Sequence, residues 1–207
     1  MKRALILDLD NTIYPVSSIA DNLFGRLFAL IDGESANLDE SAVNNAKDEL
    51  TRKPFQWVAD KYHFSPELKT KGVQLLKDMS YDLPMQPFEE YSHLKSAPHQ
   101  KFLVTTGFPK LQWSKIKQLG IEGDFLEIHV VDPDVSDKTK KDVFADIIRR
   151  YDYKIEEVLV IGDDPDSEIK AAFELGIEAF LYDPHNKHPS AEATYKARNL
   201  KTVMHYI

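Results

Sequence analysis

The chain has 207 residues, which is enough for one generous domain or for a core domain that carries a smaller insertion. It contains no cysteine, so disulfides, thiolate zinc sites and cysteine nucleophiles are excluded. Its net charge of -8 is spread without a long block of one sign, which disfavours a nucleic-acid surface. No apolar stretch approaches the roughly 20 residues needed to cross a bilayer. The composition therefore predicts a soluble, cytoplasmic protein that handles a small molecule, with neither a nucleic-acid polymer nor a membrane as partner.

The first predicted strand ends in two closely spaced aspartates. The apolar run Ala4–Leu7 is followed directly by the sequence Asp-Leu-Asp-Asn-Thr at positions 8–12. Because side chains alternate along a strand, we expect Asp8 and Asp10 on one side. Two carboxylates this close repel each other unless a cation, a shared proton or hydrogen bonds compensate them, and magnesium is the compensator we expect. The same residues also suit a turn or a helix cap, so this motif alone does not decide between the two roles.

Residues 15–95 carry helical patterns and no convincing strand. Apolar residues recur at helical spacing over 20–31, a stretch that we predict to end at Asp32-Gly33, and further helices are predicted over 39–50, 55–62 and 66–79. Proline restricts the backbone near Tyr14-Pro15 and at 84–87, so hinges are expected there. The pattern predicts a helical insertion after the first strand.

The remainder of the chain alternates apolar runs with helices. Strands are predicted at 102–104, 126–130, 158–161 and 179–181, and helices at 109–119, 142–150 and 167–175, with Gly120 and Gly176 closing two of them. This alternation is typical of a parallel sheet with crossover helices. The predicted fold is α/β, with a Rossmann-like parallel sheet core (1–14 and 96–207) and an α-helical cap inserted after the first strand (15–95).

Two more strand ends carry polar motifs. Thr105-Thr106-Gly107 offers hydroxyls and backbone amides that suit an anion-binding turn, although threonines are common at strand ends. The loop at 162–168 has the sequence Gly-Asp-Asp-Pro-Asp-Ser-Glu. Helix capping explains its later acids, whereas Asp163 is better explained by a hard cation bound through oxygen ligands.

Together these motifs resemble the haloacid dehalogenase superfamily. The resemblance rests on Asp-x-Asp-Asn-Thr at 8–12, the strand-end Thr105, a lysine ahead of a helix, and Gly-Asp at 162–163 with a later acid. It covers nearly all of the chain, since the helical insertion corresponds to the cap that many members carry. Lys138 is aligned with the lysine of the family's Lys-Pro-x-Pro-x-x-Phe segment, but both prolines are missing here. Lys140 and Lys141 therefore remain alternatives.

The resemblance implies a role for each matched residue. Asp8 would be a nucleophile that forms an aspartyl phosphate, and Asp10 would act as acid and then as base. Phosphoryl oxygens would be held by Thr105, Thr106, Gly107 and Lys138. Mg²⁺ would be bound by Asp8, the backbone carbonyl of Asp10 and Asp163. Glu168 stands where the family most often has aspartate, and it would bind a metal-bound water or orient Lys138, with Asp164 sharing that task.

The resemblance implies a magnesium-dependent phosphatase that hydrolyses a small phosphomonoester, such as a nucleotide or a sugar phosphate. The sequence Asp-Asn-Thr-Ile-Tyr-Pro at 10–15 resembles pyrimidine 5'-nucleotidase-like members. A phosphomutase of the same superfamily and a catalytically retired phosphate- or protein-binding module are the alternatives. A dehalogenase has no need of a second catalytic aspartate, so Asp10 argues against it. Substrate choice should lie in the cap, where the polar or aromatic candidates are Arg52, Lys53, Phe55, Trp57 and Tyr62. Packing is the favoured role for the aromatic residues, and solvent exposure is the favoured state of the basic ones.

Overall fold

A computed structural model describes residues 1–34, 38–132, 134–135 and 137–207. Its centre is a six-stranded sheet in the order β3-β2-β1-β4-β5-β6, and every neighbouring pair is parallel. The strands are β1 (Ala4–Leu7), β2 (Gln100–Thr106), β3 (Glu127–Val131), β4 (Val158–Gly162), β5 (Glu178–Tyr182) and β6 (Tyr195–Ala197). The predicted parallel α/β sheet is confirmed, and the short edge strand β6 is an addition to it.

The central strand β1 is buried on both faces. Leu5 and Leu7 contribute to the apolar core on one side of the sheet, whereas Ala4 and Ile6 contribute to the core on the other side. A strand covered on both faces reads as a continuous apolar run, which is why it was recognisable in the sequence. Its position between β2 and β4 places the residues that follow it at the middle of the sheet's carboxyl edge.

Eight α-helices surround the sheet in the part of the chain that the structure describes. They are α1 (Ala20–Glu34), α2 (Glu40–Glu49), α3 (Phe55–Lys61), α4 (Pro66–Asp78), α5 (Tyr91–Ser96), α6 (Pro109–Leu119), α7 (Lys140–Arg150) and α8 (Lys170–Phe173). The first four pack on one another and, through α4, on α6. Their apolar side chains join the core on the β1 face that contains Leu5.

Two sequence expectations about helices need correction, and one further helix was not expected. The helix α1 does not end at Asp32-Gly33 but continues through Gly33 to Glu34. The helix predicted at 167–175 is split into a π-helical turn, Pro165–Ile169, and the short α8. The helix α5 was not predicted, and it packs against the segment Leu200–His205 near the end of the chain.

The packing of α5 bears on where the helical insertion stops. Because α5 contacts Leu200–His205, we propose that the cap ends in the proline hinge at 84–87 rather than at residue 95. The backbone N–H of Phe88 donates to the carbonyl of Ile13 at 2.8 Å, so the two ends of the insertion lie side by side. Two adjacent connections of this kind allow a cap to move as a unit.

No helix among the described residues is both long enough and apolar enough to cross a membrane.

Candidate active site

The predicted polar motifs meet at the carboxyl edge of the sheet. In the register, Leu7 lies opposite Leu103 of β2 and opposite Ile161 of β4, so the residues that follow these positions are neighbours. They line one cleft of about 460 Å³ between the sheet edge and helices α1, α3, α4 and α6. In an open α/β sheet, this edge is where ligands bind, beside the point at which the strand order reverses.

Three carboxylates form the floor of the cleft. Asp8, Asp163 and Glu168 each present an oxygen, and these oxygens all lie within 4.8 Å of one another. Lys140 links two of them, since its Nζ lies 2.6 Å from Asp8 Oδ1 and 2.7 Å from Glu168 Oε2. The hydroxyl of Thr12 donates to Asp163 Oδ1 at 3.4 Å. Negative charge therefore exceeds positive charge at this point.

Burial and the neighbouring charges shift the pKa values of Asp8, Asp163 and Lys140. Burial, with the nearby Glu168 and Asp10, raises the pKa of Asp8 to about 7, although the ammonium of Lys140 acts in the opposite direction. Burial and the carboxylates of Glu168, Asp8 and Asp164 raise the pKa of Asp163 well above its usual value. The pKa of Lys140 is raised, because its two carboxylate partners outweigh the effect of burial.

This donor set fits a hard divalent cation. Carboxylate oxygens are the ligands that Mg²⁺ prefers, and a cation among them would remove the repulsion that raises the pKa values of Asp8 and Asp163. Lys140 supplies only one positive charge to three carboxylates. A divalent cation would therefore complete the trio electrostatically.

The lysine of the site is Lys140, not the aligned Lys138. Lys140 is buried as the first residue of α7, whereas Lys138 is exposed and lies outside the cleft lining. The cause is local: Thr139 caps α7, its side chain accepting from the backbone N–H of Asp142 while the Asp142 carboxylate accepts from the Thr139 backbone. The cap turns the chain so that the next residue points into the sheet edge. Lys141, the other alternative, bonds to Glu174 at the surface.

The carboxylate of Asp10 is held by three side chains. Lys115 Nζ lies 2.9 and 3.2 Å from its two oxygens, Gln112 Nε2 donates to Oδ2 at 2.9 Å, and the Tyr14 hydroxyl donates to Oδ1. Burial raises the pKa of Asp10, but Lys115, Tyr14 and Gln112 together outweigh it, so the pKa lies below its ordinary value. The pKa of Tyr14 is raised well above its ordinary value by burial and by Asp10, which keeps the phenol a donor.

The segment at 105–107 lies where an anion-binding turn was predicted. Thr105, Thr106 and Gly107 all line the cleft. The Thr105 Oγ1 accepts from Gln112 Nε2 at 2.7 Å, which leaves its own proton available to another acceptor. Gly107 has φ of 152°, and an added Cβ would come within 3.0 Å of the Gln112 side chain, so this turn requires glycine.

The last motif is shaped by Gly162 and the π-helical turn. A Cβ on Gly162 would overlap the carboxyl group of Glu168, so the missing side chain makes room for the longer acid. Glu168 Oε1 accepts from the backbone N–H of Asp164 at 2.8 Å while Oε2 accepts from Lys140. The structure thereby accommodates the extra methylene that glutamate has over aspartate. Glu168 orients Lys140, whereas the sequence had suggested that it orients Lys138. π-helical turns often occur at functional sites.

Asp164 faces the cap instead of the carboxylate trio. Lys53 Nζ donates to both of its oxygens, at 2.8 and 3.1 Å, across the cleft. A second connection runs beside it, where Asn11 Nδ2 donates to the carbonyl of Thr51 at 3.1 Å. Asn11 itself has φ of 56°, a left-handed conformation that asparagine tolerates better than most residues.

Most of the cap candidates reach the cleft. Arg52, Lys53, Phe55 and Trp57 line it, whereas Tyr62 is not among the described residues that do so. Sequence reasoning missed Tyr14, Gln112 and Lys115, because each lies in a segment that reads as an ordinary turn or helix. The only available signal was a pair of polar residues one turn apart on the α6 face that also carries Leu111.

Solved structures share this fold. The HAD-hydrolase YfnB of Bacillus subtilis, solved with magnesium bound, has a TM-score of 0.66 and 22% identity, and the match covers 99% of this chain and 98% of that one. The haloacid dehalogenase-like protein SP0104 of Streptococcus pneumoniae has a TM-score of 0.72 and 18% identity over 99% of this chain and 98% of its own.

Sequence comparison gives the family. A Methanopyrus kandleri protein named glyceraldehyde 3-phosphate phosphatase is 24% identical over 192 residues, which is 86% of this chain and 82% of the relative. A protein of the same name from Methanothermobacter thermautotrophicus is 25% identical over 87% of this chain and 85% of its own. Residues 2–176 match a family described as haloacid dehalogenase-like hydrolase. With this match and the parallel-sheet fold, the chain belongs to the haloacid dehalogenase-like hydrolase family.

Proposed function

We propose that this hydrolase is a magnesium-dependent phosphatase that cleaves a small phosphomonoester through an aspartyl phosphate on Asp8. The observation that carries the proposal is the meeting of Asp8, Asp10 and Lys140 with Asp163 and Glu168 in one cleft. Relatives named glyceraldehyde 3-phosphate phosphatase support the class of reaction. The pyrimidine nucleotidase-like branch is not carried forward, because only a short stretch of sequence favoured it.

In the first half-reaction, a carboxylate oxygen of Asp8 attacks phosphorus and the bond from phosphorus to the leaving oxygen breaks. Asp10, two residues later in the same cleft, gives its proton to that oxygen. The negative charge of an arriving substrate favours the protonated form of Asp10. Thr105 has a hydroxyl proton to offer, and Lys140 neutralises charge beside Asp8, so both would hold phosphoryl oxygens.

In the second half-reaction, Asp10 takes a proton from water as the water attacks phosphorus. The bond from phosphorus to Asp8 breaks, inorganic phosphate leaves and the free carboxylate is restored. Lys115 and Tyr14 keep Asp10 in the ionised form that this step needs. They also fix the direction of its carboxylate in the cleft.

The metal would be held by Asp8 and Asp163, with Glu168 beside them and the Asp10 backbone carbonyl as a further oxygen. When bound, Mg²⁺ supplies positive charge that lets an anionic nucleophile approach an anionic phosphoryl group. Lys140 and Glu168 keep that part of the floor rigid through their ion pair.

The test is phosphate release from a panel of phosphomonoesters, with and without magnesium, by the native chain and by Asp8→Asn. We expect release that requires magnesium and falls to background in the variant. The fold of Asp8→Asn should persist, with an unchanged or higher melting temperature, because a crowded buried carboxylate is replaced by a neutral group of the same shape. Mass spectrometry should find a phosphoryl adduct on the native protein alone.

Phosphate release that continues at the native rate in Asp8→Asn would contradict the proposed nucleophile. Isomerisation of a phosphorylated substrate without release would indicate a phosphomutase. Magnesium binding without either reaction, across a broad panel, would indicate a retired binding module.

A further inference from the structure

The cleft has two chemically different halves. Its floor is the polar site, whereas its upper part lies among buried apolar side chains of the cap helices and α6: Phe24, Leu27, Leu50, Phe55, Leu76 and Leu111. These six residues form the apolar chamber. Each of them is at most 8% exposed, yet together they border open space that is continuous with Asp8.

A space of this size is not ordinary packing. Protein interiors are close-packed and contain few voids larger than a water molecule, whereas ligand pockets occupy roughly 300 to 1,000 Å³. The cleft, at about 460 Å³, falls in the second class. An apolar wall does not hold ordered water well, so the chamber suits an apolar group of the ligand.

The two cap cations that line the cleft are already engaged. Lys53 is paired with Asp164 across the cleft, and Arg52 is paired with Asp48 at 3.0 Å. A second phosphate or a carboxylate on the substrate would have to displace one of these pairs. The organic part that fits this surface is therefore uncharged.

Two polar side chains near the apolar chamber are also occupied. Asn11 uses its oxygen for the N–H of Val16 and its nitrogen for the carbonyl of Thr51, while the Thr51 hydroxyl donates to the carbonyl of Asp48. Gln56 lines the cleft, and its Nε2 is buried without a hydrogen-bond partner among the described residues. An unpartnered buried donor is costly, and a rotation of the Gln56 side chain toward the cleft would give it an acceptor on the ligand.

We propose that the substrate is a phosphomonoester whose organic part is uncharged and mainly apolar, with one hydrogen-bond acceptor that Gln56 binds. The proposal rests on the proposed function and names the substrate class of the same site. A polyhydroxylated body, such as a sugar or a triose, would leave several hydroxyls facing apolar walls without partners. The apolar chamber therefore selects against it.

The experiment compares two ester series on the magnesium-loaded protein. Ethyl, propyl and hexyl phosphate extend an apolar chain, and glycerol 1-phosphate and sorbitol 6-phosphate are hydroxylated chains that match propyl and hexyl phosphate in length. We expect kcat/KM to rise by about threefold per added methylene in the apolar series, because each methylene leaves water for the chamber. Hexyl phosphate should exceed sorbitol 6-phosphate by at least about tenfold. An equal or reversed ranking would overturn the proposal.

Variants test the chamber and Gln56 separately. Leu76→Gln should reduce the preference for hexyl over ethyl phosphate, whereas Leu83→Gln, the same change at a residue that is 44% exposed and outside the cleft lining, should keep it. Gln56→Met should remove any advantage of 5-oxohexyl phosphate over hexyl phosphate. Circular dichroism confirms that each variant is folded. An unchanged preference for hexyl over ethyl phosphate in Leu76→Gln, or an unchanged ratio of 5-oxohexyl to hexyl phosphate in Gln56→Met, would count against this assignment.

Binding measurements distinguish a failure of this proposal from a failure of the proposed function. Calorimetry with ethyl- and hexylphosphonate, which cannot be hydrolysed at the carbon to phosphorus bond, should show tighter binding of the longer chain. If all esters are hydrolysed at similar rates, the substrate class is wrong and the phosphatase stands. If none is hydrolysed but the phosphonates keep their ranking, the phosphatase is wrong and the chamber stands. No hydrolysis of any ester, together with equal binding of the two phosphonates, would overturn both.

Discussion

At the scale of single residues, Lys140 is the point at which sequence alignment and geometry disagree. It contacts Asp8 and Glu168 from the first turn of α7, whereas Lys138 is exposed. Two lysines so near in sequence with such different surroundings provide a matched pair of substitutions.

We expect Lys140→Met to reduce kcat/KM by about 10²-fold or more, because a positioned cation that faces developing negative charge is lost. Lys138→Met should change kcat/KM less than threefold, because Lys138 lies outside the cleft lining and is not positioned beside the developing charge. Steady-state kinetics with both variants checks the assignment. A large loss in Lys138→Met with little loss in Lys140→Met would restore the aligned lysine.

Gly162 offers a second test, because the space it leaves is filled by Glu168. Gly162→Ala should displace the Glu168 carboxyl group, weaken magnesium affinity and slow turnover about tenfold or more, since metal sites depend on the residues that orient their ligands. Gly123→Ala is the control, because a Cβ at Gly123 meets nothing within 4 Å.

Magnesium titration by calorimetry, beside the kinetics, distinguishes a displaced ligand from general damage to the fold. In a Glu168→Ala background, the added cost of Gly162→Ala should be small, since the overlapping group is gone. Full additivity of the two changes would contradict the contact.

At the scale of elements, β3 is joined to α7 by a cluster of hydrogen bonds on Glu127. Arg150 donates to both carboxylate oxygens, at 2.6 and 2.5 Å, and Tyr151 and His129 also reach them. The bonds from Arg150 outweigh the effect of partial burial, and the pKa of Glu127 is well below its ordinary 4.5.

A depressed carboxyl pKa stabilises the fold at pH values above 4.5 and loses that contribution as the pH falls toward the folded-state value. We expect Glu127→Gln to cost about 1 kcal/mol of stability at pH 7, a modest figure because the pair is partly exposed to solvent. The difference from the native chain should shrink below pH 4.5. Thermal melts between pH 3 and pH 7 measure it, with the exposed Glu122→Gln as control. A difference that grows on acidification would contradict this sign.

The elements also show what the sequence could and could not predict. Strands such as β1 and β4 were recognisable because burial on both faces makes them continuously apolar, and α6 because Gly120 ends it in a left-handed conformation. The edge strand β6 and the helix α5 carry only a short or weak pattern. The side chains that meet Asp10 come from α6, and only the folded packing of that helix brings Gln112 and Lys115 to the sheet edge.

At the scale of the whole molecule, the cap and the core are connected over the cleft by Lys53 and Asp164. Because the pair spans the cleft, it favours a closed position of the cap over the site. We expect Lys53→Met to favour a more open arrangement, with a larger radius of gyration in small-angle scattering and a raised KM.

The charge-swapped double variant, Lys53→Glu with Asp164→Lys, should recover most of the native compactness because the attraction is restored with its ends exchanged. Raising the salt concentration should weaken the effect in the native chain only modestly, since both side chains are about one-fifth exposed. Equal scattering from the native chain and Lys53→Met would show that the pair does not hold the cap.

The strand order has a consequence for how the protein is made. The strand that carries Asp8 is synthesised first, but its two neighbours in the sheet, β2 and β4, begin at residues 100 and 158. On the ribosome, β1 must therefore wait with one or both edges unpaired while the helical insertion emerges and folds beside it. Closing such long loops is slow. We expect nascent chains that end before residue 158 to bind no metal, so that the enzyme gains its competence in one late step of its own synthesis.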